Sequence, residues 1–264
     1  MKFGIAGCGG MGLPMAQHLA ADRRWFVCGF DVRPIEGLEM IEDPRDFATI
    51  IDTLLVVVRD QGQIMDLLFG AQNLLGHVHS IKTIIISSTV SPKFLAGLRE
   101  AVPDEITLID APMSGAPIAA QEARLTFMLG GDEATLDQLT PAFEVMGKAL
   151  YRLGPFGAGM AAKVLNNFVA AASVVAVRQA YDWATEIGVD RELLAALMHK
   201  SSGQTWFGSQ FDTIDFARHG YEPGNTIGIL EKDVEAALDA VGERPALAEA
   251  ILKSLRNLKP DDAT

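Results

Sequence analysis

Up to about Leu153, short β-branched or aliphatic runs alternate with stretches of helical periodicity, as in a parallel sheet wound with helices. The runs cover residues 1–6, 25–30, 53–58, 83–87, 107–110, 125–129 and 149–153. Residues 53–58 are almost wholly apolar, as a buried central strand is. Helices fit residues 13–21 and the stretch from Glu133 towards Met146. The link from the second run to residues 38–41 is short and contains Pro34, so a loop or single turn is expected there instead of a crossover helix. After the glycine-rich residues 154–159 the strand signals end, and alanine-rich helical periodicity runs through Ala184 and beyond. Asp190 suits the N-cap of a further helix. Gly203, Gly208, Pro223 and Gly228 mark expected breaks between later helices. The pattern predicts an α/β chain: a doubly wound sheet in residues 1–154, then an all-helical domain in residues 155–264.

The first run leads into Gly7-Cys8-Gly9-Gly10-Met11-Gly12. Gly7, Gly9 and Gly12 have the spacing of a dinucleotide-binding βαβ unit, which makes the N-terminal domain Rossmann-like. Gly7 allows the tight turn, Gly9 lets the backbone approach a pyrophosphate, and Gly12 lets the helix pack closely on the strand. The following helix then directs its N-terminal N–H groups and positive dipole end at the phosphates. The second run ends in Asp31, about 20 residues past the turn, where a ribose-binding carboxylate is expected. That carboxylate would repel a 2′-phosphate and so favours NAD over NADP. Arg33 is either a solvated loop arginine or a phosphate partner that would admit NADP.

Composition narrows the function classes. A net charge of −12 speaks against nucleic acid or an anionic membrane as a partner. Cys8 and Cys28 are the two cysteines; they form neither a metal pattern nor a disulfide framework and read as small buried residues. No metal site is expected. The N-terminus lacks a signal-peptide layout, and the longest later apolar stretch, residues 168–177, is too short to span a bilayer. A cytoplasmic protein without a membrane partner is expected.

Four segments carry candidate chemistry. Residues 87–92 end a strand at the sheet edge where such folds bind ligands; Thr89 either faces the cofactor or belongs to a helix start capped by Ser91 and Pro92. Ser114 and Gly115 either offer a hydroxyl and backbone N–H groups to a carboxylate or form only a turn. Lys163 lies in a helix among small apolar neighbours. It either snorkels to the surface or faces a pocket, where partial burial would lower its pKa towards useful acid–base values. Asn167, four residues on, shares its face, while Asn166 points elsewhere. Lys232-Asp233 alone reads as a solvated face with an ion pair. Trp206 and Phe207 either limit an outer pocket or pack in the core.

Together these segments resemble the β-hydroxyacid dehydrogenase family, which includes 3-hydroxyisobutyrate dehydrogenase, over nearly the whole chain and in order. The glycine turn continues into Leu13-Pro14-Met15-Ala16, as in that family. Ser88-Thr89-Val90-Ser91-Pro92 is similar to its nicotinamide-side motif, and Asp110-Ala111-Pro112-Met113-Ser114-Gly115 to its substrate motif. Residues 154–167 are similar to its catalytic motif, and Lys232-Asp233 to its late lysine–aspartate pair. The resemblance implies an NAD-dependent oxidoreductase acting on a small β-hydroxyacid or its semialdehyde, with the site between its two domains. Lys163 would be the acid–base residue and Asn167 would orient the substrate. Ser114 and Gly115 would hold its carboxylate, with Trp206 at the outer pocket. Gly10, Met11, Val58, Arg59, Gln63, Thr89 and Lys232 would join the turn glycines and Asp31 around the cofactor.

Asn166 stands where 6-phosphogluconate dehydrogenases carry a histidine, and Lys163 argues against imine reductases, which usually lack it. Departures from the family pattern are Arg59 for proline, Ala116 for glycine, Ala123-Arg124 for Gly-Thr and Gln179 for glutamate. An NADPH-dependent glyoxylate or succinic semialdehyde reductase and a catalytically silent nucleotide sensor stay open as alternatives. The wide apolar surface of the long helix predicts a homodimer or homotetramer.

Overall fold

The aliphatic runs of the first half pair side by side. Strands β1 (Lys2–Ala6), β2 (Phe26–Phe30), β3 (Thr53–Val56), β4 (Thr83–Ile86), β5 (Thr107–Asp110), β6 (Met113–Ser114), β7 (Leu125–Gly130) and β8 (Gly147–Gly154) make one sheet. Its order is β2-β1-β3-β4-β5-β7-β6, with β8 also on β7. The pairings from β2 to β5 are parallel, whereas β7 runs antiparallel to β5 and β6, and β8 parallel to β7. The sheet is thus mixed where the local pattern predicted a parallel one, because hydropathy does not encode strand direction. The order reverses between β1 and β3. In open α/β sheets ligands bind there, outside the carboxyl ends of the strands.

The computed structural model describes residues 1–261. Helices α1 (Gly12–Ala21), α2 (Pro44–Ile50), α3 (Gln61–Leu68), α4 (Pro92–Ala101), α5 (Ala116–Gln121) and α6 (Glu133–Glu144) link the strands. Alternate strand residues point to opposite faces. Phe3, Ile5, Leu55, Ile85 and Ile109 therefore join Met15 and Leu19 in one buried layer. Leu54, Val56, Ile84 and Ile86 join Phe47, Ile64 and Leu95 in the other. Each such side chain contributes roughly 1.5–3 kcal/mol on burial. Residues 31–39 form a loop, as Pro34 predicts, and Met40 bridges to Gly29. The short α2 that follows was not anticipated; Asp43 caps it by accepting from the Arg45 and Asp46 N–H groups, with Pro44 in its first turn.

The chain divides into two compact units, residues 1–163 and the residues from Val164 onward. Helix α7 (Ala158–Ile187) crosses that division, and α8 (Arg191–His199), α9 (Trp206–Ser209), α10 (Thr226–Val241) and α11 (Ala246–Arg256) follow. In the second unit Val174, Val177 and Tyr181 pack with Phe207, Phe211, Val234, Leu252 and Leu255. Asp190 caps α8 through the Leu193 N–H, as expected. Two expected breaks need correction: Gly208 lies inside α9 and Gly228 in the first turn of α10. At Gly228 a Cβ would come 2.6 Å from the Glu222 carbonyl oxygen, so glycine is there for close packing and Asn225 is the boundary. Helix α7 is also long and apolar enough to cross a membrane by length and composition, which residues 168–177 alone did not suggest. Its Ala171, Val174, Val177 and Tyr181 are buried in the helical core.

Candidate active site

The first unit gathers its candidate residues at the carboxyl ends of the parallel strands. Gly7 turns the chain at φ +92°, and a Cβ there would lie 2.5 Å from the Val57 carbonyl oxygen. At Gly12 a Cβ would overlap the Gly7 carbonyl oxygen. Both glycines are therefore sterically required, whereas a Cβ on Gly9 would meet only Arg33 Nη2, at 3.7 Å. The exposed Gly10 and half-buried Met11 complete the turn. Asp31 Oδ2 accepts the Cys8 N–H (2.9 Å), and Oδ1 accepts the Arg33 N–H (3.0 Å) and Nε–H (3.2 Å). Burial pushes this carboxyl up, but the hydrogen bonds and charge of Arg33 and the Cys8 N–H hold it below the usual carboxylate range. Arg33 is thus both exposed and paired. An open backbone face at Gly9 beside a carboxylate at the end of β2 fits the pyrophosphate and ribose of a dinucleotide.

Val58 is half-buried and Arg59 exposed after β3. Gln63 Oε1 accepts the Arg59 N–H at 3.0 Å, and Asp60 Oδ1 accepts the Gln63 N–H at 2.9 Å, so Gln63 has a capping role of its own at the start of α3. Thr89 is half-buried after β4, and Ser91 caps α4 through the Lys93 N–H. Ser114 ends the two-residue β6, and Gly115, at φ +138°, starts α5. The expected simple turn is therefore a strand end running into a short helix. Ala116 (φ 56°) and Ala123 (φ 51°) bracket that helix. Both adopt the left-handed conformation that glycine takes more easily, at two of the positions that depart from the family pattern.

The last residue of β5 has a role that sequence reasoning missed. Asp110 is fully buried; Oδ1 accepts the Gly157 N–H at 2.6 Å and Oδ2 the Met160 N–H at 2.5 Å. Burial raises its pKa, opposed by these backbone donors and by Gly159. One turn past Met160 comes Lys163, only 7% exposed, so it does not snorkel to the surface.

In the second unit Asn167 is buried, and its Nδ2 donates to Asp233 Oδ2 at 2.6 Å. Asn166, exposed, donates to Asn167 Oδ1 at 3.1 Å. Asp233 is itself buried, and Lys232 Nζ stands 3.6 Å from its Oδ1. The pair that reads as a solvated face is therefore half interior: Asp233 fixes the Asn167 amide. Only its place beside Lys232 could have flagged it. Trp206 is half-exposed, with its ring centroid 6.3 Å from those of Phe207 and Phe216. Phe207 is fully buried, so it is a core residue and not a pocket wall.

Comparison with known proteins identifies the fold and the family. Residues 2–154 match the family model for the NAD-binding domain of 6-phosphogluconate dehydrogenase. Residues 157–254 match that for the NAD-binding region of NADP-dependent 3-hydroxyisobutyrate dehydrogenase. The 2-hydroxy-3-oxopropionate reductase of Escherichia coli is 31% identical over 255 residues, covering 91% of this chain and 84% of that protein. The NAD-dependent L-serine dehydrogenase of Pseudomonas aeruginosa is 30% identical over 213 residues, covering 78% and 71%. The structure of Mycobacterium tuberculosis 3-hydroxyisobutyrate dehydrogenase with L-serine superimposes with a TM-score of 0.80 at 25% identity, covering 96% of this chain and 91% of that one.

Proposed function

Because the chain belongs to the β-hydroxyacid dehydrogenase family and is an NAD(P)-dependent oxidoreductase, we propose that it interconverts a small β-hydroxyacid and its semialdehyde with Lys163 as general acid/base. The observation that carries the assignment is a lysine 7% exposed, one turn before an asparagine locked by a buried aspartate. The nicotinamide, when bound, supplies the hydride acceptor or donor. Lys163 takes the hydroxyl proton during oxidation and returns one to the same oxygen during reduction. Asn167 orients the substrate, its amide held by Asp233 and Asn166. The Ser114 hydroxyl and Gly115 N–H bind the substrate carboxylate, and Trp206 borders the outer pocket.

For the cofactor, the backbone of Gly7, Gly9, Gly10, Met11 and Gly12 takes the pyrophosphate and Asp31 the ribose hydroxyls. Val58, Arg59, Gln63, Thr89 and Lys232 surround the remainder. The Asp31 carboxylate favours NAD. An NADPH-dependent reductase of the glyoxylate or succinic semialdehyde type is the second reading, favoured by Arg33 standing beside the glycine turn.

Residues 1–154 act as the dinucleotide-binding domain and residues 155–264 as the helical substrate and dimerisation domain of a cytoplasmic homodimer or homotetramer. Exposed Leu165, Val169, Ile187, Leu193 and Leu197 support the assembly, and two free, buried cysteines fit a reducing compartment. Light scattering in solution tests it, and a mass of 28.4 kDa would exclude it.

The activity is tested by nicotinamide absorbance with L-serine, 3-hydroxyisobutyrate and 2-hydroxy-3-oxopropionate, offering NAD(H) and NADP(H) separately. Lys163→Ala is expected to retain cofactor binding and lose turnover by about 10²–10⁴-fold. Undiminished turnover in that variant overturns the assignment.

A further inference from the structure

A helix leaves its first N–H groups without acceptors of its own, and in α7 Gly157 has no side chain to supply one. The acceptor comes from another element. Asp110, at the end of β5, takes the Gly157 and Met160 N–H groups on its two oxygens. The packing is arranged to admit this. A Cβ on Gly130 would overlap Asp110 Oδ1 and lie 2.9 Å from the Gly159 nitrogen. One on Gly159 would overlap the Met128 carbonyl oxygen and lie 2.9 Å from Asp110 Oδ2. The helix start therefore rests directly on the backbone of β7. Met160 is tied a second time, its Sδ accepting the Val90 N–H at 3.4 Å, next to Thr89. Lys163 follows Met160 by three residues and shares its helix face.

Resting on the assignment of Lys163 above, we propose that Asp110 is a positioning residue: its carboxylate clamps the first turn of α7 to the sheet edge and so fixes the height and rotation at which Lys163 stands. A local serine or aspartate cap would satisfy the same donors, but would hold the helix end only to itself. The clamp from β5 holds it to the strand ends that carry the glycine turn and Thr89. Asp110 touches neither substrate nor cofactor in this role.

Asp110→Asn keeps one acceptor and sets an amide NH₂ against the other N–H; Asp110→Glu keeps both acceptors but moves them outward by a methylene. In each, kcat is expected to fall by about 10–100-fold with KM and cofactor affinity unchanged, as for a catalytic group displaced by about 1 Å. Added to Lys163→Ala, Asp110→Asn is expected to cause no further loss, because the two act as a unit. A variant that binds cofactor with undiminished kcat, or full additivity in the double variant, overturns the proposal. Should both variants fail to fold, amide hydrogen exchange on the unaltered protein decides. Gly157 and Met160 are expected to exchange slowly, and exchange at the rate of solvent-exposed amides overturns the clamp. Failure of the Lys163 assignment shows separately, as turnover surviving in Lys163→Ala alone.

Discussion

Two aspartates at strand ends show how surroundings divide one residue type into two roles. Asp31 is held low, because the Arg33 and Cys8 donors outweigh its burial. Its contribution to stability is therefore fully present above the unfolded value of about 3.9 and lost as pH falls through the lower folded value. Asp110 runs the other way. Burial raises its pKa, so the folded state loses stability as pH rises from the unfolded value through the raised one, and nothing further above it. Nature of the partner explains the difference: a guanidinium at Asp31, neutral N–H groups at Asp110. Asp31→Ser removes the charge that repels a 2′-phosphate and releases Arg33. The ratio of kcat/KM for NADP over that for NAD should rise at least about tenfold, as loss of a charged hydrogen bond and its repulsion allows. An unchanged ratio would show that Asp31 does not choose the cofactor. The place of Asp31 was legible in sequence because it follows β2 at a fixed offset from the glycine turn. The roles of Asp110 and Asp233 were not, since their partners lie 47 to 66 residues away.

At the scale of elements, legibility followed burial and local chemistry. Strand β4 (Thr-Ile-Ile-Ile) announces itself by composition, as does α4 by Ser91-Pro92. Strand β6 could not, because two residues become a strand only by pairing with β7. The direction of β7 was equally silent, being decided by the turn through Ser114, Gly115 and α5. Glycines misled in the helical unit, where Gly208 and Gly228 serve close packing inside helices. The true start of α10 is Asn225, whose side chain accepts the Gly228 N–H at 3.0 Å and donates to the Gly220 carbonyl at 2.9 Å. Asn225→Ala should destabilise the helical unit by about 1–2 kcal/mol, read as a lower urea midpoint with an unchanged slope. An unaltered midpoint would place the boundary elsewhere.

For the molecule as a whole, the long α7 links the units in sequence, carrying Lys163 at the end of the first and Asn167 at the start of the second. Acidity of the whole, at −12, leaves room for local cations at Arg33, Lys163 and Lys232. The two thiols supply a different kind of information. Cys8 lies within the glycine turn and Cys28 within β2, both buried, and burial pushes their pKa values to about 11 and about 12. Thiolate, the reactive form, is thus withheld twice, by access and by ionisation. Alkylation of the native protein should be far slower than of a free thiol, and should accelerate when the nucleotide-binding unit opens. If opening at the glycine turn is local, Cys8 will label before Cys28, and added cofactor will slow Cys8 first; simultaneous labelling would mark a unit that opens all at once. The chain thereby carries two built-in clocks for the opening of its own cofactor cradle.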